Sequence, residues 1–457
     1  MFAPRSLPRR ARPDYTRELV SWSILPLVLG AIEGGTMSIV VQKAFDGAPG
    51  VGPASLNLAL SAVIATPEFA NVASFIWAAF AFGRRKVRLI STLQRGVCVL
   101  VAAMALLPTT EAGLWALCGL YLLARSMWTG VITLRAAVWR GNYEKSLRAK
   151  VAGRMATVQS LVLAATGLLI GLAMDFDERA FHFLFPVLAL AGLAGNAVYR
   201  RVRLRGEPAL LERERRGAHE RPSLGPRSVV EVLRHDRAYR RFMGWMFVFG
   251  LGNLLVSFPF TKAFEGASYL EGILVRTTLP YLVMPLAIPF WAPILARRHV
   301  IEFRAMHAWS FVAATFALVL ASVTGERWIY YLASAMLGFA FAGGALAWNI
   351  GHSDFAPPER DSLYMSVHVT LNGLRGLISP FLAFALWAWL EPRGLFPVVF
   401  LVCLAINTIG AIGFVRMAMS RRRVLRAHAV PVASVPVAGG GAAENESASA
   451  GITESSR

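Results

Sequence analysis

The chain has 457 residues, of which 56% are hydrophobic and 16% charged, and its mean hydropathy is +0.51. Soluble domains carry about 25% charged residues, so this balance excludes an ordinary soluble protein and points to an integral membrane one. The formal charge of +20 does not indicate nucleic acid, because most Lys and Arg sit in short segments beside apolar runs.

A helix needs about 20 apolar residues to cross a bilayer, and on that template the sequence predicts twelve spans, six on each side of a polar linker. The first covers 20–42. It carries Glu33 about half way along, followed by Gly34 and Gly35, which soften the helix there. The second, 55–82, carries Glu68 after Pro67, whose missing N–H removes a backbone bond. These are the two acids that lie deep in apolar runs. Ionisable groups inside a bilayer are costly, and are functional or paired. Each acid is therefore either a proton-coupling group, since a carboxyl in an apolar setting loads and releases a proton, or half of a permanent ion pair with an Arg.

The turn Gly83-Arg84-Arg85 leads into the third span, 87–107. The fourth, 113–139, has Arg125 near its middle; its Arg135, like Arg95 of the third span, lies nearer the inner face and snorkels. The fifth, 155–174, contains Gly167 and Gly171 but no proline, and the sixth covers 181–199. The stretch Arg200–Arg241 then holds 13 Arg and 6 acids, as a linker lying in water must.

The seventh span is 242–262. The eighth, 271–296, holds Arg276 in its outer part and four prolines, Pro280, Pro285, Pro289 and Pro293, which kink or loosen it. After the ninth, 304–323, the tenth, 328–350, runs into His352 and Asp354 near the inner face. Too few ligands converge there for a metal, and the pair reads as part of a gating or capping network. The eleventh, 364–390, spaces His368, Asn372 and Arg375 at i, i+4 and i+7, on one helix face. Such a polar stripe faces a cavity or a partner rather than lipid. The twelfth covers 395–415. Beyond Arg426 the tail is small, polar and Gly-rich, a composition that does not order. Cys98, Cys118 and Cys403 all lie in apolar runs and read as small buried hydrophobes. Trp128, Trp245, Tyr281 and Trp348 read as core.

Three deep cations, Arg125, Arg276 and Arg375, against two deep acids leave a positive excess. That favours an anionic solute held by Arg125 and Arg375, from different halves, with Asn372, His368 and Arg276 beside them. The alternative is that an Arg pairs with each Glu. Orientation follows from the distribution of basic residues. With the N-terminus in the cytoplasm, 36 Lys and Arg lie inside and five in the outer turns. Both termini are expected in the cytoplasm, in the inner (plasma) membrane.

The two halves echo each other. Gln42-Lys43-Ala44-Phe45-Asp46-Gly47-Ala48 ends the first span, and Thr261-Lys262-Ala263-Phe264-Glu265-Gly266-Ala267 ends the seventh. Phe82-Gly83-Arg84-Arg85 and Leu295-Ala296-Arg297-Arg298 follow the second and eighth spans, and Trp139 and Trp348 end the fourth and tenth. A parallel repeat about an axis normal to the membrane accounts for these placements.

With its twelve spans in two repeated halves and a long basic central loop, the chain resembles the major facilitator superfamily over about residues 20–420. The resemblance rests also on the loop after the second span, whose family signature is G-x-x-x-D-R-x-G-R-R. Gly83-Arg84-Arg85 matches its end. Phe80 stands where the Asp would be and Ala81 where the next Arg would be, so the signature's charge relay is incomplete here. The Gly-Pro signature of the antiporter branch is absent from the fifth span. The resemblance implies that an acid in the first span, here Glu33, is a recurrent proton-coupling position. It also implies a solute site near the midplane between the halves.

The expected architecture is an all-α integral membrane protein of twelve transmembrane helices in two repeated six-helix bundles. Residues 1–19 form an N-terminal segment, 20–199 and 242–415 the bundles, 200–241 the linker and 416–457 the tail. The expected function is secondary transport of a small, anionic solute coupled to protons through Glu33 and Glu68, with Gly83, Arg84, Arg85, His352 and Asp354 in gating roles. No phosphate loop, H-E-x-x-H or paired-Asp motif is present, so no enzymatic activity, cofactor or metal is expected. Its partners are the solute and the lipid bilayer, without nucleic acid, and it is expected to work as a monomer. A polytopic membrane enzyme acting on lipid-linked substrates and a transporter-fold sensor are the rival readings.

Overall fold

The computed structural model describes residues 4–72, 74–217, 227–356 and 361–429, and every regular element among them is helical. Eleven of the helices are long and apolar enough to cross a membrane. They are α1 (Arg9–Ala44), α3 (Lys86–Met104), α4 (Glu111–Asn142), α5 (Lys150–Phe176), α6 (Phe181–Tyr199), α7 (Arg237–Lys262), α8 (Tyr269–Arg297), α9 (Val300–Thr324), α10 (Arg327–Trp348), α11 (Val367–Arg393) and α12 (Pro397–Leu425). The twelfth place, between α1 and α3, belongs to α2, built from Pro53–Val72 and Ser74–Ala81. Asn57, Pro67, Glu68 and Asn71 dilute its apolar run. The outward surface carries exposed apolar side chains such as Leu106, Phe183, Leu286 and Phe316, which a bilayer covers and water would not tolerate in such numbers.

Two compact units divide the chain, Met1–Ala418 and Met419–Arg457. The second begins as helix. The tail read as disordered lies, past Ala429, outside the described residues, as do linker residues 218–226. The described parts of the linker include two short helices, Glu207–Arg216 and Arg227–His235, and its last residues from Arg237 already belong to α7.

Two helices depart from regularity where the sequence marked them. α1 consists of Arg12–Ile24, Pro26–Ala31 and Gly34–Ala44. It is broken at Glu33, whose backbone is extended (φ −73°, ψ 134°) and caps the last segment. In α8 a π-helical turn, Leu274–Thr278, precedes the α-helix that starts at Leu279. Pro280 has no N–H to offer the Arg276 carbonyl, so the regular ladder cannot pass that point. The irregular turn lies against the last segment of α1. A Cβ on Gly35 would sit 2.4 Å from Thr277 Oγ1 and 2.7 Å from the Arg276 carbonyl oxygen. Glycine is what lets these backbones meet, and Thr36 Oγ1 bonds Thr277 Oγ1 at 3.2 Å beside it.

The first six helices meet the last six along two seams. α2 packs on α11, and α5 on α8. On the side opposite the linker the seams are bonded. Asp175 at the end of α5 accepts from the backbone N–H groups of Tyr269 and Leu270 at 2.6 and 3.1 Å, capping α8. The two sequence echoes also touch there. Lys43 Nζ donates to the carbonyls of Glu265 (3.0 Å) and Ala267, while Lys262 pairs with Glu265 within its own half. Phe45 and Phe264 are buried at corresponding places.

Candidate functional site

Glu33 lies where α1 is broken, and two elements hold its carboxylate. Tyr281 of α8 donates its hydroxyl to Oε1 at 2.9 Å. Arg125 of α4 places Nη1 3.7 Å from Oε2 and donates to the Ile32 carbonyl at 3.4 Å, a carbonyl at the break in α1. The arrangement joins an acid and a cation of the first six helices to a phenol of the last six. Both charged side chains remain about one-sixth exposed, 17% for Glu33 and 15% for Arg125, so the pair is not sealed from solvent. Tyr121 Oη and Arg125 Nε are buried beside it without partners, leaving unused donors at the site.

A second polar cluster surrounds Glu68. Asn71 donates to its Oε2 at 3.2 Å, and Asn372 of α11 donates to the same oxygen. Asn372 in turn accepts from Arg375, whose other terminal nitrogen donates to the Met246 carbonyl of α7. α2 comes close to α11 because the latter has Gly373 and Gly376 there; a Cβ on Gly376 would meet the Glu68 Cβ at 2.2 Å. Arg375 is turned toward α7 and seated on Gly250, where a Cβ would lie 2.0 Å from Nη1. Arg125 and Arg375 thus belong to two clusters, one around each deep acid. His368, from the same stripe, is buried edge-on to the Trp348 ring at 5.8 Å. Arg276 lies over the Phe260 ring, 5.1 Å from its centre.

The turns that echo each other at the linker side are tied alike. Gly83 has φ +72°, a left-handed conformation suited to glycine, and its N–H donates to Glu214 of the linker at 2.7 Å. Lys86 pairs with the same carboxylate at 2.7 Å. In the other half Asp354 accepts from Val300 N–H at 2.6 Å, capping α9, and His352 is buried next to it. Arg85 is the N-cap residue of α3, and Arg84 lies 3.7 Å from the centre of the Phe80 ring. The aromatic ring standing at the signature's acid position receives an arginine through its π face.

Sequence reading missed Glu18, placed before the first span but in fact on α1 and 1% exposed. Its Oε2 accepts from Trp139 Nε1 at 2.7 Å. Arg135, read as snorkelling, lies instead between Trp22 (3.8 Å) and Trp139 (4.5 Å). The echo at Trp139 was a signal that this position mattered. Tyr281, read as core, turned out to be a partner of Glu33. Arg304, counted with the loop cations, is buried on α9. Among the described residues, no group of His, Cys, Asp and Glu is arranged to hold a metal.

The family model of the Major Facilitator Superfamily matches residues 22–380. Solved structures with the same fold include the nucleoside transporter NupG, with a TM-score of 0.65 and 12% identity over 88% of this chain and 99% of that one. A D-xylose–proton symporter gives 0.65 and 13% over 88% and 96%. The POT family transporter PepTSo gives 0.67 and 12% over 90% and 98%. Identities this low speak for the fold alone. No curated protein sequence matches this chain.

Proposed function

The chain belongs to the major facilitator superfamily, and from that premise we propose that it is a secondary active transporter that moves a small anionic solute together with protons. The observation that carries the proposal is the shared carboxylate of Glu33, held by Arg125 from the first six helices and Tyr281 from the last six. While Glu33 is ionised it attracts the Arg125 guanidinium and accepts from Tyr281, and so links the halves. A proton on Glu33 removes the charge that holds Arg125. The guanidinium is then free to take an acidic group of the solute in a charge-assisted, two-pronged contact. Solute and proton thereby enter together, and their joint departure restores the Glu33–Arg125 attraction.

Residues 20–199 and 242–415 rock against each other around this midplane site in the proposed cycle. The bonds of Lys43 and Asp175 across the seam close the side opposite the linker, and they are what must break for that side to open. Glu68 is the second candidate coupling acid. In this reading Arg375 and Asn372 support Glu68, while His368 and Arg276 lie behind the solute. The turns at Gly83–Arg85 and at His352–Asp354 restrain the linker side. In this reading both termini are cytoplasmic, which the excess of Lys and Arg on the linker side supports, and the protein sits in the inner membrane. Transport by residents of similar folds extends to nucleosides and D-xylose by name, so the solute class is open to a screen.

Proteoliposomes carrying a lumenal pH dye provide the test. Nucleosides, sugars, peptides and organic acids are added outside in turn, and solute-dependent proton entry is read without labelled substrate. Entry with an organic or phosphorylated acid is the expected result. Binding of a solute with no proton or solute movement would replace transport by sensing.

A further inference from the structure

The last six helices bury a group of basic side chains, among them Arg304, to which the proposed coupling at Glu33 assigns no part. Arg304 of α9 is 4% exposed, His368 of α11 3% and Arg375 of α11 9%. α9 and α11 both pack on α7, and the turn Gly351–Asp354 touches α9 and α11. His368 lies within the electrostatic reach of Arg375, Arg304 and His352, and Arg304 within that of Arg375.

The direct partners of the two guanidinium groups are neutral. Arg304 Nη1 lies 3.3 Å from His307 Nδ1, and His307 Nε2 lies 2.8 Å from the Ala340 carbonyl. A carbonyl only accepts, so the His307 proton is on Nε2 and Nδ1 accepts from Arg304. Arg375 donates to the Met246 carbonyl and to the Asn372 amide oxygen; its hydrogen-bond link to Glu68 runs only through that amide, although the Glu68 charge also bears on it. Among the described residues no carboxylate lies within ion-pair distance of Arg304 or Arg375. Arg304 Nε, Arg375 Nε and His368 Nε2 are all buried without a partner. The geometry is fixed from behind. Gly250 seats Arg375, Gly343 leaves room for the His307 ring, and Trp291, Phe303 and Phe311 surround that ring. Unpaired buried charge is costly, and unused donors in a rigid buried setting call for an acceptor.

We propose that Arg304, His368 and Arg375 form a binding site for one small monovalent anion inside the last six helices. The unused N–H groups of the two guanidinium side chains and the His368 ring supply its hydrogen bonds, and the arginines its counter-charge. The ligand is a hydrogen-bond-accepting anion that comes either from solution, as a halide, or from a carboxylic acid. The site is separate from Glu33 and does not depend on proton coupling there.

Purified full-length protein in detergent, kept at constant ionic strength with sodium methanesulfonate, tests the site. Chloride or acetate is titrated in, and the melting temperature is followed by tryptophan fluorescence. The expected result is a saturable rise with at least one of the two anions. Saturation by chloride identifies a halide site, and saturation by acetate alone identifies a carboxylate site. Arg304→Gln should abolish the rise, while Arg84→Gln, at an exposed turn, should keep it. Arg304→Lys, which keeps the charge but not the fork, should raise the half-saturating concentration about tenfold and serves if Arg304→Gln does not fold. No saturable rise with either anion, or an unchanged half-saturation in the Arg304 variants, overturns the proposal. The readout involves no transport, so its failure would leave the role of Glu33 standing.

Discussion

Gly35→Ala tests the seam between α1 and α8. The added Cβ would lie 2.7 Å from the Arg276 carbonyl oxygen and 2.4 Å from Thr277 Oγ1. The hydroxyl can rotate away, but the carbonyl belongs to the backbone. An ordinary contact begins near 3.4 Å, so the helices must separate by roughly 0.7 Å, the difference between 3.4 and 2.7 Å. Overpacking of this kind costs about 1–3 kcal/mol, against about 1 kcal/mol gained from alanine's helix propensity. The gain is felt in every conformation, whereas the clash is felt only while the side opposite the linker is closed. The variant should therefore shift the equilibrium toward opening of that side by about 1–3 kcal/mol, or about 5- to 150-fold. The assay is the labelling rate of Ile39→Cys by a thiol reagent, on a background lacking Cys98, Cys118 and Cys403. Ile39 is buried against Gly272 of α8, so its labelling reports the seam. Gly34→Ala is the control, because its Cβ would meet no backbone atom of α8 but the Pro67 ring at 3.2 Å and the Tyr121 hydroxyl at 3.8 Å, and it should change the rate little. An unchanged labelling rate in Gly35→Ala with a raised melting temperature would refute the argument.

Three further outcomes are expected. Gly250→Ala puts a methyl where the Arg375 guanidinium lies and should lower stability by about 1–3 kcal/mol; a melting curve identical to wild type would show that Arg375 is not seated there. Trp139→Phe removes the donor to buried Glu18 and should cost about 1–3 kcal/mol, an effect that should shrink in a Glu18→Gln background; an equal loss in both backgrounds would assign it to packing instead. For orientation, cysteines at Asp46 and Glu265 should react with an impermeant reagent in intact cells, while those at Arg84, Arg148 and Arg297 should stay unlabelled until the membrane is opened.

The fold was legible because a bilayer imposes a length on every crossing helix, and eleven apolar runs of that length, with a diluted twelfth at α2, set the pattern. The echo around Lys43 and Lys262 was visible too, though not that its two copies would touch. Glu33, Glu68, Arg125 and Arg375 stood out as charges in apolar runs. Their pairing was not legible, because it depends on which helix faces which. Arg375 turns to α7 through the missing Cβ of Gly250, a consequence of helix register that no single segment encodes. Tyr281 resembled core because a phenol in a membrane helix usually is core. Glu18 and Arg304 were hidden by neighbouring loop charges at the ends of their helices, where apolar patterning sets boundaries poorly.

The role of Glu33 is tested most directly by Glu33→Gln in proteoliposomes, using the solute identified by the proton-entry screen. Glutamine keeps the shape and an oxygen for Tyr281, but it neither titrates nor holds Arg125 by charge. The account predicts that the variant no longer accumulates solute under an imposed pH difference, yet still exchanges labelled for unlabelled solute across the membrane. Accumulation against a gradient at the wild-type level would contradict it and remove Glu33 from the coupling site.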